Sequence, residues 1–330
     1  MAARVAIPQW LQPEAAAFLR DAGLDVADGG RGVDDEPLPR DRTLALVAGC
    51  AGVLTQLADR VDAEFLDAAG PGLRVVANVA VGHDNVDTGA CDARGVVVTN
   101  TPGVLTDATA DLAIALALMT TRRLGAAERA VRSGRPWRWG MGRNLGAGLQ
   151  GRTLGIVGLG QIGAATARRA RALGMDIAYA QRRAADPAVV GELGARRMDL
   201  DALLEAADVV SLHCPLTPET RHLIDADALR RMRPGAFLLN TARGPVVDEQ
   251  ALVDALAGGE IAGAGLDVYE DEPAVHPGLL GRSDVVLLPH VGSATRETRR
   301  AMALLAARNA AGVLTADGPV TPVGQAQPST

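Results

Sequence analysis

The 330-residue chain contains no lysine, and all 33 of its basic side chains are arginine. This absence excludes a lysine Schiff base, and with it ordinary pyridoxal-phosphate chemistry, as well as a phosphate loop that ends in Gly-Lys-Ser/Thr. Aromatic residues make up only 2% of the chain, so base-stacking surfaces are not expected. The formal net charge of −6 also argues against nucleic acid or an anionic membrane as a partner.

Cysteine and long apolar runs are scarce as well. Cys50, Cys91 and Cys214 are far apart and form no C-x-x-C pair, which is typical of reduced thiols in a cytoplasmic protein. No spacing of histidine, cysteine or aspartate indicates a metal site. The most apolar stretch, Leu112–Met119, is far shorter than the roughly 20 residues that span a bilayer. The sequence therefore predicts no membrane segment and no secretion signal.

Short β-branched segments alternate with Ala-, Arg- and Leu-rich helical segments along the chain, and this pattern predicts βαβ units and parallel sheets. The length suits two domains. We expect a nearly all-apolar helix over Thr106–Arg123, buried between domains or subunits, and a frayed tail from Gly318 onward. The expected strands are Arg4–Ile7, Gly52–Thr55, Arg74–Val79, Val96–Thr99, Thr153–Val157, Asp176–Ala180, Val209–His213, Ala236–Asn240, Gly263–Val268 and Val285–Leu288.

A glycine-rich motif stands between the strand at 153–157 and the helix that follows it. Gly158 is expected to make the tight turn, Gly160 to let the backbone approach a pyrophosphate, and Gly163 to let helix and strand pack closely. The positive end of the helix dipole would then face the phosphates. This context predicts a dinucleotide site formed by Gly158, Leu159, Gly160, Gln161, Ile162 and Gly163.

The end of the next strand indicates which dinucleotide is preferred. An NAD site usually offers an acidic residue here for the ribose 2′-hydroxyl, but this chain has Gln181, Arg182 and Arg183. A carboxylate would repel a 2′-phosphate, whereas guanidinium groups can bind it through two hydrogen bonds. We therefore expect a preference for NADPH, with NADH possible.

Three polar residues follow strands of the second series and are candidates for the chemistry. Arg243 lies in Asn-Thr-Ala-Arg-Gly-Pro, Glu272 in Tyr-Glu-Asp-Glu-Pro, and His290 in Leu-Pro-His-Val-Gly-Ser. Ligands of open α/β sheets bind at the carboxyl ends of the strands. An arginine, a carboxylate and an imidazole at neighbouring strand ends therefore predict a reaction centre at this edge of the sheet.

Together these motifs resemble the D-isomer-specific 2-hydroxyacid dehydrogenases, most closely the glyoxylate/hydroxypyruvate reductase branch. The resemblance covers nearly the whole chain, and several independent motifs occur in the family's order. They begin at Val79-Ala80-Val81-Gly82-His83, Thr101-Pro102-Gly103, Gly158-Leu159-Gly160, His213-Cys214-Pro215, Asn240-Thr241-Ala242-Arg243, Gly265-Leu266-Asp267 and Pro289-His290-Val291-Gly292-Ser293.

The resemblance implies a role for each candidate. Arg243 would clamp the carboxylate and carbonyl of a 2-keto acid, and His290 would act as general acid toward the carbonyl oxygen. Glu272 would hydrogen-bond His290, select its tautomer and keep it protonated near neutral pH. The backbone N–H groups of Val81 and Gly82 would hold the substrate carboxylate. The family pattern also places Ser293 beside the substrate and Pro215, Thr241 and Asp267 beside the cofactor.

The implied architecture is an α/β fold with two Rossmann-like or flavodoxin-like domains. An NAD(P)-binding domain over 100–288 would be inserted into a smaller substrate domain made of 1–99 and 289–330. The apolar helix at 106–123 suggests a homodimer, and Trp137 and Trp139 are candidates for its interface.

Alternatives remain open at this point. A 2-ketogluconate reductase would use the same chemistry, whereas a nucleotide-sensing corepressor would share the fold and lack the activity. No arginine follows Val53-Leu54-Thr55, where phosphoglycerate dehydrogenases carry one. Formate dehydrogenases lack the histidine-orienting glutamate, so Glu272 argues against that reaction.

Overall fold

The computed structural model describes residues 2–324. The chain forms two compact units. Unit 1 comprises the chain up to Leu105 and again from Ala294, and unit 2 is the continuous segment Thr106–Ser293. The predicted boundaries at 99/100 and 288/289 lie a few residues before these positions.

Unit 1 is built on a parallel five-stranded sheet in the order β2-β1-β3-β4-β5, which is the flavodoxin-like order. Its strands are β1 (Arg4–Ile7), β2 (Asp25–Asp28), β3 (Gly52–Thr55), β4 (Val75–Asn78) and β5 (Val97–Thr99). Its helices are α1 (Pro13–Asp21), α2 (Arg40–Val47), α3 (Ala63–Ala69), α4 (Thr88–Ala93) and, after the chain returns, α12 (Arg296–Thr315).

The end of unit 1 is held in place, so the expectation of a frayed tail from Gly318 is wrong for the described residues. The side-chain oxygen of Asn309, buried in α12, accepts hydrogen bonds from the N–H groups of Val320 and Thr321 at 2.8 and 2.9 Å. Pro322 also forms a bridge with Thr99 of β5. The tertiary partner overrides the local Gly/Pro composition up to Gly324, and the rest of the predicted tail lies outside the described residues.

Unit 2 is built on a parallel seven-stranded sheet in the order β12-β11-β10-β9-β6-β7-β8. Counted within the unit this is the Rossmann order 3-2-1-4-5-6 with one further strand at the edge. The strands are β6 (Thr153–Val157), β7 (Asp176–Ala180), β8 (Arg196–Arg197), β9 (Val209–Leu212), β10 (Phe237–Asn240), β11 (Gly263–Leu266) and β12 (Val285–Leu287). The helices are α5 (Thr106–Thr121), α6 (Leu124–Arg132), α7 (Gln161–Ala172), α8 (Pro187–Leu193), α9 (Leu200–Ala206), α10 (Ala226–Arg231) and α11 (Glu249–Gly258).

Helices cover both faces of this sheet, and each face has its own apolar core. One core includes Leu203, Leu212 and Leu238, and the other includes Leu116, Ile156 and Leu239. Strands buried on both faces read as continuous apolar runs, which explains why the central strands were recognisable in the sequence.

The predicted fold class is confirmed, and every predicted strand lies within one or two residues of an observed one. The sequence reading missed β2 and β8 because both are edge strands with charged residues, and neither forms an apolar run. The apolar helix α5 packs against α7 and the sheet inside unit 2. This packing buries Ala113, Leu116 and Ala117, whereas Leu112, Ile114, Leu118 and Met119 remain partly exposed. The expectation of a subunit interface at this helix stays a prediction.

Within residues 2–324, no helix is both long enough and apolar enough to cross a membrane. The same part of the chain brings together no three histidine, cysteine, aspartate or glutamate side chains in a group that could hold a metal ion.

Candidate active site

The glycine motif forms the turn between β6 and α7. Gly158 has φ 96°, and a Cβ atom there would lie 2.9 Å from the backbone nitrogen of Cys214. A Cβ on Gly163 would lie 2.3 Å from the carbonyl oxygen of Gly158. A Cβ on Gly160, by contrast, would meet no atom within 4 Å. Two glycines are thus required by packing, and the third leaves an open approach to the N-terminus of α7, where a phosphate fits.

Gln181, at the end of β7, contacts this loop directly. Its side-chain oxygen accepts a hydrogen bond from the backbone N–H of Leu159 at 2.8 Å. Arg182 and Arg183 follow with exposed side chains, and Arg182 forms an exposed ion pair of 3.9 Å with Glu219. Such a pair contributes little in water, so the guanidinium can readily exchange this partner for a phosphate.

Arg197 is a residue of this region that the sequence reading missed. Its Nη2 atom donates to the carbonyl oxygens of Gln181 at 3.3 Å and Arg182 at 3.0 Å. It lies on β8, the strand that pairs with β7. The signal was hidden because β8 is two residues long and could not be recognised as a strand. Its effect is to add a third guanidinium to the loop that carries Arg182 and Arg183.

The other predicted cofactor residues follow neighbouring strands of the same sheet. Pro215 is exposed in the segment after β9, and Thr241 follows β10 and is partly buried. The Oγ1 atom of Thr241 is buried and has no hydrogen-bond partner among the described residues. A buried hydroxyl without a partner is costly, so a ligand group at this strand end fits the site.

Arg243 lies on the loop between β10 and the 3₁₀ turn Gly244–Val246. Asn240 organises this loop: its amide nitrogen donates to the carbonyl oxygen of Arg243 at 2.9 Å, and its side-chain oxygen accepts from the N–H of Ala242 at 3.0 Å. The Arg243 guanidinium in turn donates to the Ala242 carbonyl oxygen at 2.8 Å. A Cβ on Gly244 would lie 1.8 Å from the Tyr269 carbonyl carbon, so only glycine lets this loop pack against the segment that carries Glu272.

Glu272 and His290 are in direct contact. The Nδ1 atom of His290 lies 2.8 Å from one carboxylate oxygen of Glu272, and the other oxygen accepts a hydrogen bond from the Tyr269 N–H at 2.9 Å. The side chain of His290 is 30% exposed and that of Glu272 is 34% exposed. Because a carboxylate only accepts hydrogen bonds, this contact places a proton on Nδ1 and leaves Nε2 as the atom that can exchange a proton with a ligand.

The charge of Glu272 is maintained against burial. Burial raises the pKa of this carboxyl, but the hydrogen bond and charge of His290, the Tyr269 N–H and the positive charge of Arg243 outweigh it, so the pKa of Glu272 is lowered overall. The effect of Arg243 on this pKa shows that the arginine acts electrostatically on the Glu272–His290 pair. The three predicted catalytic residues therefore form one charged cluster in unit 2.

Asp267 organises the chain around His290. Its two carboxylate oxygens accept hydrogen bonds from the N–H groups of Val291 and Gly292, both at 2.8 Å, and its backbone carbonyl accepts from the His290 N–H at 2.8 Å. His290 itself has φ 52°, in the left-handed region that is unfavourable for most residues. The side chain of Asp267 is 1% exposed, and burial raises its pKa although these hydrogen bonds and the charge of His290 lower it. Asp267 thus holds the active-site loop, a role that sequence reasoning did not assign to it. Ser293 follows this loop and is partly buried.

His213 is a second histidine of the same sheet edge, but its environment differs. Its Nε2 atom lies 2.9 Å from the hydroxyl of Ser211. Burial lowers the pKa of His213 to about 4, so this imidazole is neutral at pH 7 and cannot serve as a charged proton donor. Its place beside Pro215 suits a structural or cofactor-lining residue better than a catalytic one.

Val81 and Gly82 lie in unit 1, in the loop after β4. The carbonyl oxygens of this loop are bound from neighbouring segments: that of Ala80 accepts from the N–H of Thr101 at 2.9 Å, and that of Val81 accepts from the side chain of Asn100 at 2.9 Å. The N–H groups of Val81 and Gly82 donate to no other group within residues 2–324. Two backbone donors are therefore available to an anion.

Comparison with known proteins gives a match to one enzyme family. Residues 114–292 match the family model described as D-isomer specific 2-hydroxyacid dehydrogenase, NAD binding domain. A glyoxylate reductase of Thermococcus litoralis is 49% identical over 281 residues, which are 84% of this chain and 84% of that protein.

Solved structures agree over almost the full length. A protein from Thermus thermophilus superimposes with a TM-score of 0.89 at 45% identity, covering 97% of this chain and 99% of that one. The NADPH-dependent glyoxylate/hydroxypyruvate reductase of Sinorhizobium meliloti, solved in complex with NADP and malonate, gives a TM-score of 0.82 at 37% identity, covering 98% and 97% of the two chains.

Proposed function

Because the chain belongs to the D-isomer-specific 2-hydroxyacid dehydrogenase family, we propose that it reduces glyoxylate or hydroxypyruvate to the D-2-hydroxy acid, with NADPH as the preferred cofactor. The observation that carries this proposal is the Glu272–His290 hydrogen bond of 2.8 Å beside the charge of Arg243. Two of the proteins named above are a glyoxylate reductase and a glyoxylate/hydroxypyruvate reductase, which supports glyoxylate as the first substrate to test.

Each residue of the cluster has a task that its chemistry explains. Arg243 binds the substrate carboxylate and carbonyl oxygen, because its planar guanidinium offers paired donors that an ammonium lacks. His290 donates the proton on Nε2 to the carbonyl oxygen, and Glu272 stabilises the imidazolium that is ready for this transfer. The nicotinamide, when bound, supplies the hydride for the carbonyl carbon. The family pattern also assigns the N–H groups of Val81 and Gly82, in unit 1, to the substrate carboxylate.

The proposal predicts rapid NADPH oxidation with glyoxylate or hydroxypyruvate in an initial-rate assay that also includes pyruvate and 2-ketogluconate. His290→Ala should abolish turnover and leave cofactor binding intact. Turnover with 2-ketogluconate alone would keep the mechanism and change the substrate. Full activity of His290→Ala would remove the general-acid role, and cofactor binding without turnover on any keto acid would favour the corepressor alternative.

The preference for NADPH rests on the loop after β7. Arg182 and Arg183 are exposed, Arg197 donates to the backbone carbonyl of Arg182, and no carboxylate stands at position 181. Removing two phosphate-binding guanidiniums with Arg182→Ala/Arg183→Ala should raise KM for NADPH roughly tenfold or more and change KM for NADH little. Arg196→Ala is the matched control, because side chains alternate along a strand and Arg196 points away from the face of Arg197. A wild-type enzyme that prefers NADH would refute the preference.

A homodimer is the proposed assembly, and its basis is an exposed apolar surface on unit 2. Trp137, Trp139 and Met141 are 69%, 80% and 81% exposed, and Val131 of α6 is also exposed. Such a concentration of large exposed apolar side chains is typical of an interaction surface. Sedimentation at micromolar concentration should give a dimer, and Trp139→Glu should shift it to the monomer. A monomeric wild type would refute this assembly.

We place the protein in the cytoplasm. Cys50, Cys91 and Cys214 are free thiols, and burial raises the pKa of Cys91 and of Cys214 to about 11. Buried, protonated thiols suit a reducing compartment.

A further inference from the structure

We infer that Asn100 is a positioning residue for substrate: by binding the Val81 carbonyl oxygen, it aims the backbone N–H of Gly82 at the substrate carboxylate. The inference rests on the proposed function, in which the N–H groups of Val81 and Gly82 hold that carboxylate. Asn100 itself would not touch the substrate.

The argument starts from the planarity of the peptide bond. In a trans peptide the carbonyl and the following N–H point in opposite directions and cannot rotate independently. The Val81 carbonyl accepts from Asn100 Nδ2 at 2.9 Å, so this contact fixes the direction of the Gly82 N–H. In the same way, the hydrogen bond from the Thr101 N–H to the Ala80 carbonyl, also 2.9 Å, fixes the direction of the Val81 N–H. The consecutive residues Asn100 and Thr101 therefore orient both donors.

Asn100 is itself rigidly mounted. Its backbone carbonyl accepts hydrogen bonds from the hydroxyl of Thr321 at 2.6 Å and from the amide nitrogen of Asn309 at 3.2 Å, and its N–H donates to the Thr321 carbonyl at 3.2 Å. The loop after β4 is thus tied to α12 and to the segment that follows it. A donor pair held in this way needs no reorganisation when an anion arrives, which is how preorganised sites gain affinity.

The oxygen of the Asn100 side-chain amide supports a specific role for the amide nitrogen, which donates to Val81. The Oδ1 atom of Asn100 is buried and accepts no hydrogen bond within the described residues. A buried acceptor without a partner lowers stability, so the amide is a poor choice for packing alone. The donor contact with Val81 accounts for an amide at this position.

Asn78 holds the next peptide group of the same loop, the one that begins with the Gly82 carbonyl. It is fully buried at the end of β4, and its Nδ2 atom donates to the Gly82 carbonyl at 2.9 Å. Its Oδ1 atom accepts from the hydroxyl of Thr55 on β3 at 3.1 Å. The loop is therefore held from both sides, which keeps Gly82 from turning away.

The test compares glyoxylate with methyl glyoxylate, because the ester has the same reacting carbonyl and no carboxylate charge. In Asn100→Leu the donor to Val81 is lost, and kcat/KM for glyoxylate should fall roughly tenfold or more relative to kcat/KM for the ester. The decrease in kcat/KM for glyoxylate should appear mainly as a higher KM, and the dissociation constant for NADPH should not change. Asn100→Asp, which keeps the shape and places an oxygen against the Val81 carbonyl, should lower the acid-to-ester ratio of kcat/KM at least as far.

Gln9→Leu is the matched control. It removes another side-chain amide of unit 1, one that donates to Asp59 at 2.6 Å and accepts from the Leu38 N–H at 2.9 Å. General loosening of unit 1 would lower the rates with acid and ester equally, in this control and in the Asn100 variants.

An acid-to-ester ratio that stays at the wild-type value in Asn100→Leu would overturn the inference while the proposed function stands. If that variant fails to fold, Asn100→Ala, which loses the same donor and adds no charge, decides the question by the same ratio. A wild-type enzyme that does not discriminate between acid and ester would refute the carboxylate site itself, and the role of Asn100 with it.

Discussion

Replacing Glu272 by glutamine removes one charge from the reaction centre while preserving its shape. In the wild type one carboxylate oxygen accepts from His290 Nδ1 at 2.8 Å and the other from the Tyr269 N–H at 2.9 Å. Glutamine has one acceptor oxygen and can satisfy only one of these donors. The His290 imidazolium would therefore lose either its hydrogen bond or the charge that strengthens it.

The magnitude follows from this contact. A hydrogen bond to a charged group contributes about 1.5–3 kcal/mol and a neutral one about 0.5–1.5 kcal/mol, so the loss is on the order of 1.5 kcal/mol. This corresponds to about a tenfold change in an equilibrium constant. Because the pKa of Glu272 is lowered, the wild-type carboxylate stays charged across the neutral range, and the difference between the two enzymes should persist throughout it.

The assay is kcat/KM for glyoxylate reduction at several pH values within the neutral range. Because the proton donated to the carbonyl oxygen comes from His290 and the charge that stabilises this donor is removed, Glu272→Gln should be about tenfold slower than the wild type at each of these values.

Glu270→Gln is a close control, because Glu270 pairs with the imidazole of His222 instead of His290. Its kcat/KM for glyoxylate should match that of the wild type. If Glu272→Gln is as fast as the wild type, the carboxylate does not stabilise the imidazolium, and the reasoning from their contact is wrong.

Three further changes test other parts of the structure. Gly244→Ala places a Cβ 1.8 Å from the Tyr269 carbonyl carbon and should lower kcat/KM at least tenfold by displacing the arginine loop; normal activity would show that the loop can shift freely. Gly163→Ala brings a Cβ to 2.3 Å from the Gly158 carbonyl and should weaken NADPH binding in a fluorescence titration, whereas unchanged affinity would refute the close packing. Burial lowers the pKa of His213 to about 4, so between about pH 6.5 and pH 4 the unfolded chain binds a proton that the folded chain does not. The free energy of unfolding should therefore decrease by up to about 3 kcal/mol as the pH is lowered through this range. Urea unfolding of His213→Gln should show a shallower pH dependence.

The parts of the molecule that sequence reasoning recovered are those with a local signal. The strands of both sheets that are buried on two faces stand out as apolar runs, and the glycine loop stands out because its three glycines occur at fixed spacing between a strand and a helix. The edge strands β2 and β8 carry no such signal, since charged residues replace the apolar run. Arg197 was missed for this reason, although it contacts the loop that the sequence had singled out.

The candidate site shows the same division. Arg243, Glu272 and His290 were recognisable by type and by their places after strands, because parallel strands bring their carboxyl ends to one edge of the sheet. The contact between Glu272 and His290 was anticipated from the family resemblance, but the residues that hold the surrounding loops were not: Asp267 binds the loop after His290, and Asn100 binds the loop after β4. The apolar residues of α5 suggested a subunit interface, and the structure divides them: Leu116 is buried inside unit 2, whereas Ile114 and Leu118 are only partly buried.

The sequence by itself determined the fold class, the order of the elements and the types of residue at the reaction centre, because burial and turn formation leave short-range patterns of apolar residues and glycines. Only the tertiary structure decided which donor meets which acceptor. The hydrogen bond from the Asn309 amide nitrogen to the Asn100 carbonyl oxygen, for example, joins residues that are 209 positions apart in the chain. Its geometry depends on the packing of whole elements, which no local pattern records.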